Sequence, residues 1–200
     1  MLRVKPRYGV LVPVFVDSGV PFIRVNDLLD LENRAANLAQ IPQELSRQYA
    51  RTRTQQGDLL LSVVGTMGRA TVIPDVLIGA NVARAIASLR PYNSVDPQLL
   101  AAWMCSPEFL RQALDATSSD TAQPTLGMED LSNFTLLWPK GDVAQRRLTR
   151  QVNEIRSKQA SLASALNRQL DLLAERRQAL ITAAVTGQLD VTTARSGVQV

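Results

Sequence analysis

The chain has no histidine and one cysteine, and these two shortages remove whole classes of chemistry. Without an imidazole, Ser-His-Asp and Cys-His catalysis, histidine metal sites and the usual neutral-pH switch are excluded. With Cys105 alone, neither a disulfide framework nor a CxxC zinc site forms. Aromatic residues make up 4% of the 200 positions. Lysine is scarce too: of 22 basic residues only Lys5, Lys140 and Lys158 are lysines, and the other 19 are arginines. The apolar stretch nearest the N terminus, Val10–Val16, is broken by Pro13, lacks a cleavage signal and falls far short of the ~20 residues of a membrane helix. One free cysteine and no export signal read as cytoplasmic.

Several catalytic signatures are also missing. An aromatic-x-Gly-x-Gly methyltransferase loop does not occur, and Arg90-Pro91-Tyr92-Asn93 is not the Asn/Asp-Pro-Pro-aromatic motif of amino-methylating enzymes. There is no GxxxxGK[ST] phosphate loop. Pro74-Asp75 lacks the Asp/Glu-x-Lys that a metal nuclease needs, because that tripeptide appears nowhere. Gly65-Thr66-Met67-Gly68 has the GXXG spelling of the KH clamp, but that clamp joins helices and this one is placed between strands. No catalytic residue and no metal site is assigned, and the chain is expected to be no enzyme.

What is present is enough apolar material for a core: 46% hydrophobic residues, 20% charged, mean hydropathy −0.03. The net charge of +4 is unevenly placed. Residues 1–142 hold 13 Lys/Arg against 14 Asp/Glu, whereas residues 143–200 hold 9 against 4. Any anion-binding face in the first part must therefore be local. The abundance of arginine suits phosphate and guanine edges, and equally fits a GC-rich coding bias.

Along the first half, Tyr8–Val16 and Pro21–Val25 read as strands bounded by Gly, Pro and Asp. Asp27–Ala39 reads as a short helical or irregular excursion, and Pro42–Tyr49 as a helix. Gly57-Asp58 opens a strand, Leu59–Val64, which Gly65–Gly68 turns into Arg69–Ile73. Asn81–Leu89 is a further strand, although its alanines also permit a helix. Asp96-Pro97 and Ser106-Pro107 cap helices over Gln98–Cys105 and Phe109–Ala116. Thr117–Gln123 reads as a loop, Met128–Asn133 as a helical turn, and Phe134–Trp138 as a closing strand.

From Val143 to Thr186 there is neither Gly nor Pro, and Ala, Leu, Gln, Arg and Glu dominate. As one helix these residues span roughly 66 Å. A heptad frame puts Val152, Gln159, Leu166, Leu173 and Leu180 at a, and Ile155, Leu162, Gln169, Arg176 and Ala183 at d. Leu170 beside Gln169 marks a slip of phase, and Gly187 is the stop. So long a stripe needs a partner helix, unless the helix folds back on its own domain. The expected fold is α+β: a mixed small-sheet domain over 1–142, a coiled-coil helix over 143–187 and a tail over 188–200.

Three segments together resemble the specificity subunit of type I restriction–modification systems. They are Pro21-Phe22-Ile23-Arg24-Val25-Asn26-Asp27-Leu28; then Gly57-Asp58-Leu59-Leu60-Leu61-Ser62 with Gly65-Thr66-Met67-Gly68-Arg69 and Asn81; and the helix end Glu175-Arg176-Arg177 through Thr186-Gly187-Gln188-Leu189-Asp190. The order and spacing cover residues 8–190. The resemblance implies a target recognition domain followed by a spacer helix, a unit that occurs twice in the family. It implies double-stranded DNA as ligand, and modification and restriction subunits as partners. It implies no cofactor of its own, since S-adenosylmethionine, Mg and ATP would act through those partners. This chain holds one unit, so it resembles a half or truncated subunit and is expected to form a homodimer through the helix. At the helix entrance the family's Pro-rich step leads to Glu-Gln; here Trp138-Pro139 leads to Ala144-Gln145, and only the glutamine matches. The start at Met1 also leaves little before the first strand.

The candidates for reading DNA are Arg and amide side chains beside turns: Arg24, Asn26, Arg51, Arg53, Thr66, Arg69, Asn81 and Gln123. Arg on guanine and Asn or Gln on adenine are each worth ~1–3 kcal/mol of discrimination. The competing role for each arginine is a solvated or salt-bridged one, and for Asn26 and Asn81 a backbone cap. Met67 is assigned to packing. Val152, Ile155, Leu162, Leu166, Leu173 and Leu180 are assigned to helix pairing. The rival function is a non-DNA-binding assembly or regulatory half subunit that occupies the modification subunit.

Overall fold

The all-apolar run Leu59-Leu60-Leu61 is explained by a strand with a core on each face. In the computed structural model, which describes residues 1–117 and 124–188, β4 (Leu59–Ser62) is buried at every position. Alternate residues of a strand point to opposite faces. Accordingly Leu59 and Leu61 join one core with Ala87, Leu89, Leu100, Met104 and Phe109. Leu60 joins another with Ile23, Leu31, Ile73, Val82 and Ile86. A strand covered on both sides does not alternate apolar and polar residues.

Around β4 lies a four-stranded antiparallel sheet in the order β1 (Leu2–Tyr8), β7 (Ile86–Pro91), β4, β5 (Ala70–Val72). A second sheet has the order β3 (Ala39–Ile41), β2 (Val20–Ile23), β6 (Asn81–Val82), with β2 antiparallel to β3 and parallel to β6. Between β2 and β3 run two 3₁₀ turns and α1 (Leu31–Arg34), the irregular excursion expected there. Helix α2 (Gln43–Gln48) follows β3.

Helices α3 (Pro97–Met104) and α4 (Pro107–Ala116) start where the caps predict. The Asp96 carboxylate accepts from the Gln98 and Leu99 amides at 2.9 and 3.2 Å, and the Ser106 hydroxyl accepts from the Phe109 amide at 3.3 Å. α5 (Met128–Asn133) also lies as expected. α6 runs unbroken over Asp142–Val185, 44 residues. It ends in a Schellman arrangement: the Gly187 amide donates to Ala184 and the Gln188 amide to Ala183.

Three expectations are corrected. Tyr8–Val16 is not a strand: β1 occupies Leu2–Tyr8, and Val10 and Val16 make isolated bridges to Ala83 and Gln40. The break falls at Gly9, where a β-carbon would collide with the Val82 carbonyl, so the chain crosses from one sheet toward the other at the one residue able to approach so closely. Asn81–Leu89 is two strands, because a turn closed by the Ile86 amide on the Ala83 carbonyl separates β6 from β7. Phe134–Trp138 forms no strand. The Thr135 amide and carbonyl are satisfied instead by the Gln112 side chain, at 3.0 and 2.8 Å, and the Phe134 ring packs edge-on against Phe109.

The chain divides into two units, the first Met1–Val152 and the second beginning at Asn153. The first turns of α6 are part of the first unit. Among the described residues no helix is long and apolar enough to cross a membrane.

Candidate nucleic-acid interface

Buried acids set the positions of several candidate arginines. Asp27, 2% exposed, accepts from the Arg24 amide at 2.8 Å and from Arg24 Nε at 3.2 Å, and Arg34 Nη1 lies 3.8 Å from its other oxygen. Both guanidinium side chains remain about half exposed. One carboxylate thus tethers two cations, leaving a net positive charge at the surface. Asn26, exposed on the same 3₁₀ turn, makes no side-chain hydrogen bond among the described residues.

Asn81 does not face outward, and Arg53 is half-buried beside it. Asn81 is fully buried; its Oδ1 accepts from the Ser46 hydroxyl at 2.5 Å and its amide reaches the Tyr49 carbonyl at 3.4 Å. Arg53 Nε donates to the same Ser46 oxygen at 2.9 Å, and its Nη2 is buried with no hydrogen-bond partner among the described residues. Neither edge of the Asn81 amide is open to a base. The reason is topological: Asn81 starts β6, which pairs with β2 in the interior, so the amide fastens α2 and the turn after it.

Thr66 is exposed in the turn between β4 and β5. Gly68 in that turn has φ +78°, which favours glycine, and a β-carbon there would lie 2.5 Å from Leu110 Cδ2, so an added side chain has to displace that leucine. Arg69 is half-buried, with its amide donating to the Ser62 hydroxyl at 3.1 Å. Met67 packs on the core beside it. Arg51 is exposed, and its carbonyl accepts from Arg7 Nη1 at 3.4 Å. Gln123 lies outside the described residues. The candidates therefore divide into surface groups (Arg24, Asn26, Arg51 and Thr66), the half-buried Arg53 and Arg69, and the buried Asn81.

Two anchoring contacts of the fold escaped sequence reasoning. Asp58, fully buried, receives Arg90 Nε and Nη2 at 2.7 Å each and the Gln55 amide at 2.8 Å. The Arg90 pKa is raised above its ordinary value, first by that hydrogen bond and then by the carboxylate's charge, against the opposing effect of burial. Gln145, 5% exposed on α6, donates to the Ser94 carbonyl at 2.9 Å and accepts from the Asp96 amide at 2.7 Å. Thr149, one turn on, donates to the Asp96 carboxylate at 2.7 Å. The matched glutamine at the helix entrance was the available signal for this anchor.

On α6, Val152 is half-buried, while Ile155, Leu162, Leu166, Leu173 and Leu180 are 48–62% exposed. Leu170, Leu172 and Ile181 are exposed beside them, outside the a and d frame.

A mixed α+β unit continued by a single long helix matches about half of solved chains from type I restriction–modification systems. The chain shares it with the HsdS subunit from Thermoanaerobacter tengcongensis, at TM-score 0.57 and 13% identity, covering 100% of this chain and 52% of that one. It shares it also with a chain from structural work on the complex assembly and conformational transition of the type I R-M system, at TM-score 0.63 and 21% identity, covering 90% and 42%. In sequence it is 30% identical over 184 residues to the type I restriction enzyme EcoBI specificity subunit of Escherichia coli. That match takes in 91% of this chain and 38% of the relative's length. No protein-family model matches. The chain is similar to part of a type I specificity subunit, spanning 38% of the length of the curated protein it matches.

Proposed function

We propose that the chain is a DNA-reading specificity component of a type I restriction–modification complex. Residues 1–142 read one half of a bipartite duplex site, and residues 143–187 form the spacer and pairing helix. The observation that carries this reading is the combination of an α+β unit, arginines tethered at its surface, and one continuous helix whose apolar a and d side chains are uncovered. The similarity to the EcoBI specificity subunit supports it. On this reading the chain catalyses nothing. It docks modification subunits, which methylate adenine with S-adenosylmethionine, and restriction subunits, which use ATP and Mg. Two copies pair through Val152, Ile155, Leu162, Leu166, Leu173 and Leu180, with half-sites one or more DNA turns, ~34–36 Å each, apart. Methylome sequencing of cells with and without the gene tests the reading: an adenine motif disappears on deletion. If no motif is lost, the reading fails.

The second reading is an assembly or regulatory component that occupies the modification subunit without targeting it. Its support is the balance of 13 cations against 14 acids over residues 1–142. A gel shift across salt concentrations separates the two, since phosphate contacts give a steep negative slope of affinity against salt.

A further inference from the structure

The β1 edge of the four-stranded sheet brings Lys5 and Arg7, which lie outside the turns where base-reading residues are sought, beside the candidate Arg51. Strand β1 pairs with β7 irregularly, with register shifts between Leu2 and Val4 and again between Val4 and Arg7. Irregularities of this kind bend an edge strand and re-aim its side chains. Lys5 and Arg7 sit in the second irregular stretch and both are exposed. Arg7 Nη1 donates to the Arg51 carbonyl, which brings a third exposed cation, 44 residues away in sequence, to the same place. Together with Thr52, Ser88 and Arg90 these residues line a shallow cleft of about 30 Å³.

The balance of charge makes the cleft unusual. Arg90 is neutralised by the buried Asp58, which it grips with two nitrogens. Lys5, Arg7 and Arg51 form no ion pair among the described residues. Three uncompensated positive charges therefore gather within a segment whose acids outnumber its bases. Like charges held together raise the local potential and favour an anion there. The cleft is far smaller than the roughly 300–1,000 Å³ of a small-molecule site, which favours a phosphate group resting at its mouth over an enclosed metabolite. Arginine forks and the Ser88 hydroxyl are donors that phosphate oxygens take, while the Thr52 hydroxyl is already spent on the Tyr49 carbonyl at 2.9 Å.

We infer that Lys5, Arg7 and Arg51 form a phosphate-binding patch that grips the backbone of duplex DNA at the β1 edge, independently of base sequence. The inference rests on the proposed DNA-reading function, and deepens it by naming the residues that hold the duplex in register. The test measures binding of the full chain to a duplex carrying its motif and to a random duplex, by fluorescence anisotropy between 50 and 200 mM salt. The variants are Lys5→Gln/Arg7→Gln/Arg51→Gln, together with Arg7→Lys. Each phosphate contact adds about 0.9 to the salt slope. The triple variant should lose roughly 2.7 from that slope, so that the wild type weakens about 40-fold more than the variant across this range. The loss should be equal on both duplexes, and Arg7→Lys should keep most of the slope. An unchanged slope overturns the patch while leaving DNA reading intact, as does a loss confined to the motif duplex. A wild-type chain that binds neither duplex overturns both. Retained far-ultraviolet dichroism and melting temperature in the triple variant exclude unfolding as the cause of any loss.

Discussion

Arg90 and Asp58 form a two-pronged ion pair, 2.7 Å at each prong, between the end of β7 and the start of β4. Asp58 is fully buried and the Arg90 side chain is 21% exposed. The Gly57-Asp58 pair that looks in sequence like a strand opener thus fastens the central strand to its neighbour.

Asp58→Asn should leave Arg90 without its countercharge at a place with little water. We expect a loss of about 3 kcal/mol, the lower end for breaking a buried pair because one partner still reaches solvent. Replacing both, as Asp58→Leu/Arg90→Met, should cost less than the single change. Urea unfolding of the three chains checks this, and a double variant worse than Asp58→Asn would contradict it. The Arg90 pKa is raised, so its contribution is complete below the ordinary arginine value and is lost only as pH climbs through the raised one. Stability from this pair should therefore be level through the neutral range.

Gln145→Ala should remove two hydrogen bonds and leave the Ser94 carbonyl and the Asp96 amide without partners. The expected loss is about 1–3 kcal/mol, with hydrogen exchange rising first at the Asp96, Gln98 and Leu99 amides and in the opening turn of α6. Exchange that rises uniformly along α6 would refute a local anchor.

Gly68→Ala and Gly57→Ala differ in a useful way. Both glycines have φ +78°, but a β-carbon on Gly57 meets nothing within 4 Å, whereas on Gly68 it meets Leu110. Each change should cost roughly 1–2 kcal/mol for the left-handed backbone, and Gly68→Ala should cost more by the displacement of Leu110. Equal melting temperatures for the two variants would show that the packing at Leu110 yields freely.

Leu162→Glu/Leu166→Glu replaces two exposed side chains on α6, so helix content should be unchanged. If the helix pairs with a second copy, light scattering should give a dimer for the wild type and a monomer for the variant. A wild-type monomer at every concentration would count against self-pairing.

Local signals read well wherever neighbours in sequence satisfy one another. The Asp96-Pro97 and Ser106-Pro107 caps, the β4–β5 turn and the stop at Gly187 are all closed by groups a few residues away. Phe134–Trp138 misled for the opposite reason. Its apolar pattern looks like a strand, yet its hydrogen-bonding partner is the side chain of Gln112, a choice that only packing reveals. Tyr8–Val16 misled because Gly9 marks a crossing between sheets, and a sequence does not state which carbonyl will press against a glycine.

The candidate residues follow the same division. Residue type and a place beside a turn could nominate Arg24, Arg53 and Asn81 alike. Burial then separated them: Arg24 stays at the surface over Asp27, Asn81 is buried against Ser46, and the half-buried Arg53 closes on the same hydroxyl. The grouping of Lys5 and Arg7 with Arg51 had no sequence signature, because Arg7 and Arg51 lie 44 residues apart and are joined by a hydrogen bond across the fold.

By itself the sequence determined the absence of imidazole chemistry, the unbroken helix and the caps, since each depends on composition or on contacts within a turn or two. The tertiary structure alone decided which polar side chains are walled in and which cations gather without a carboxylate among the described residues. Both depend on how distant segments exclude water from one another, and no local spacing encodes that.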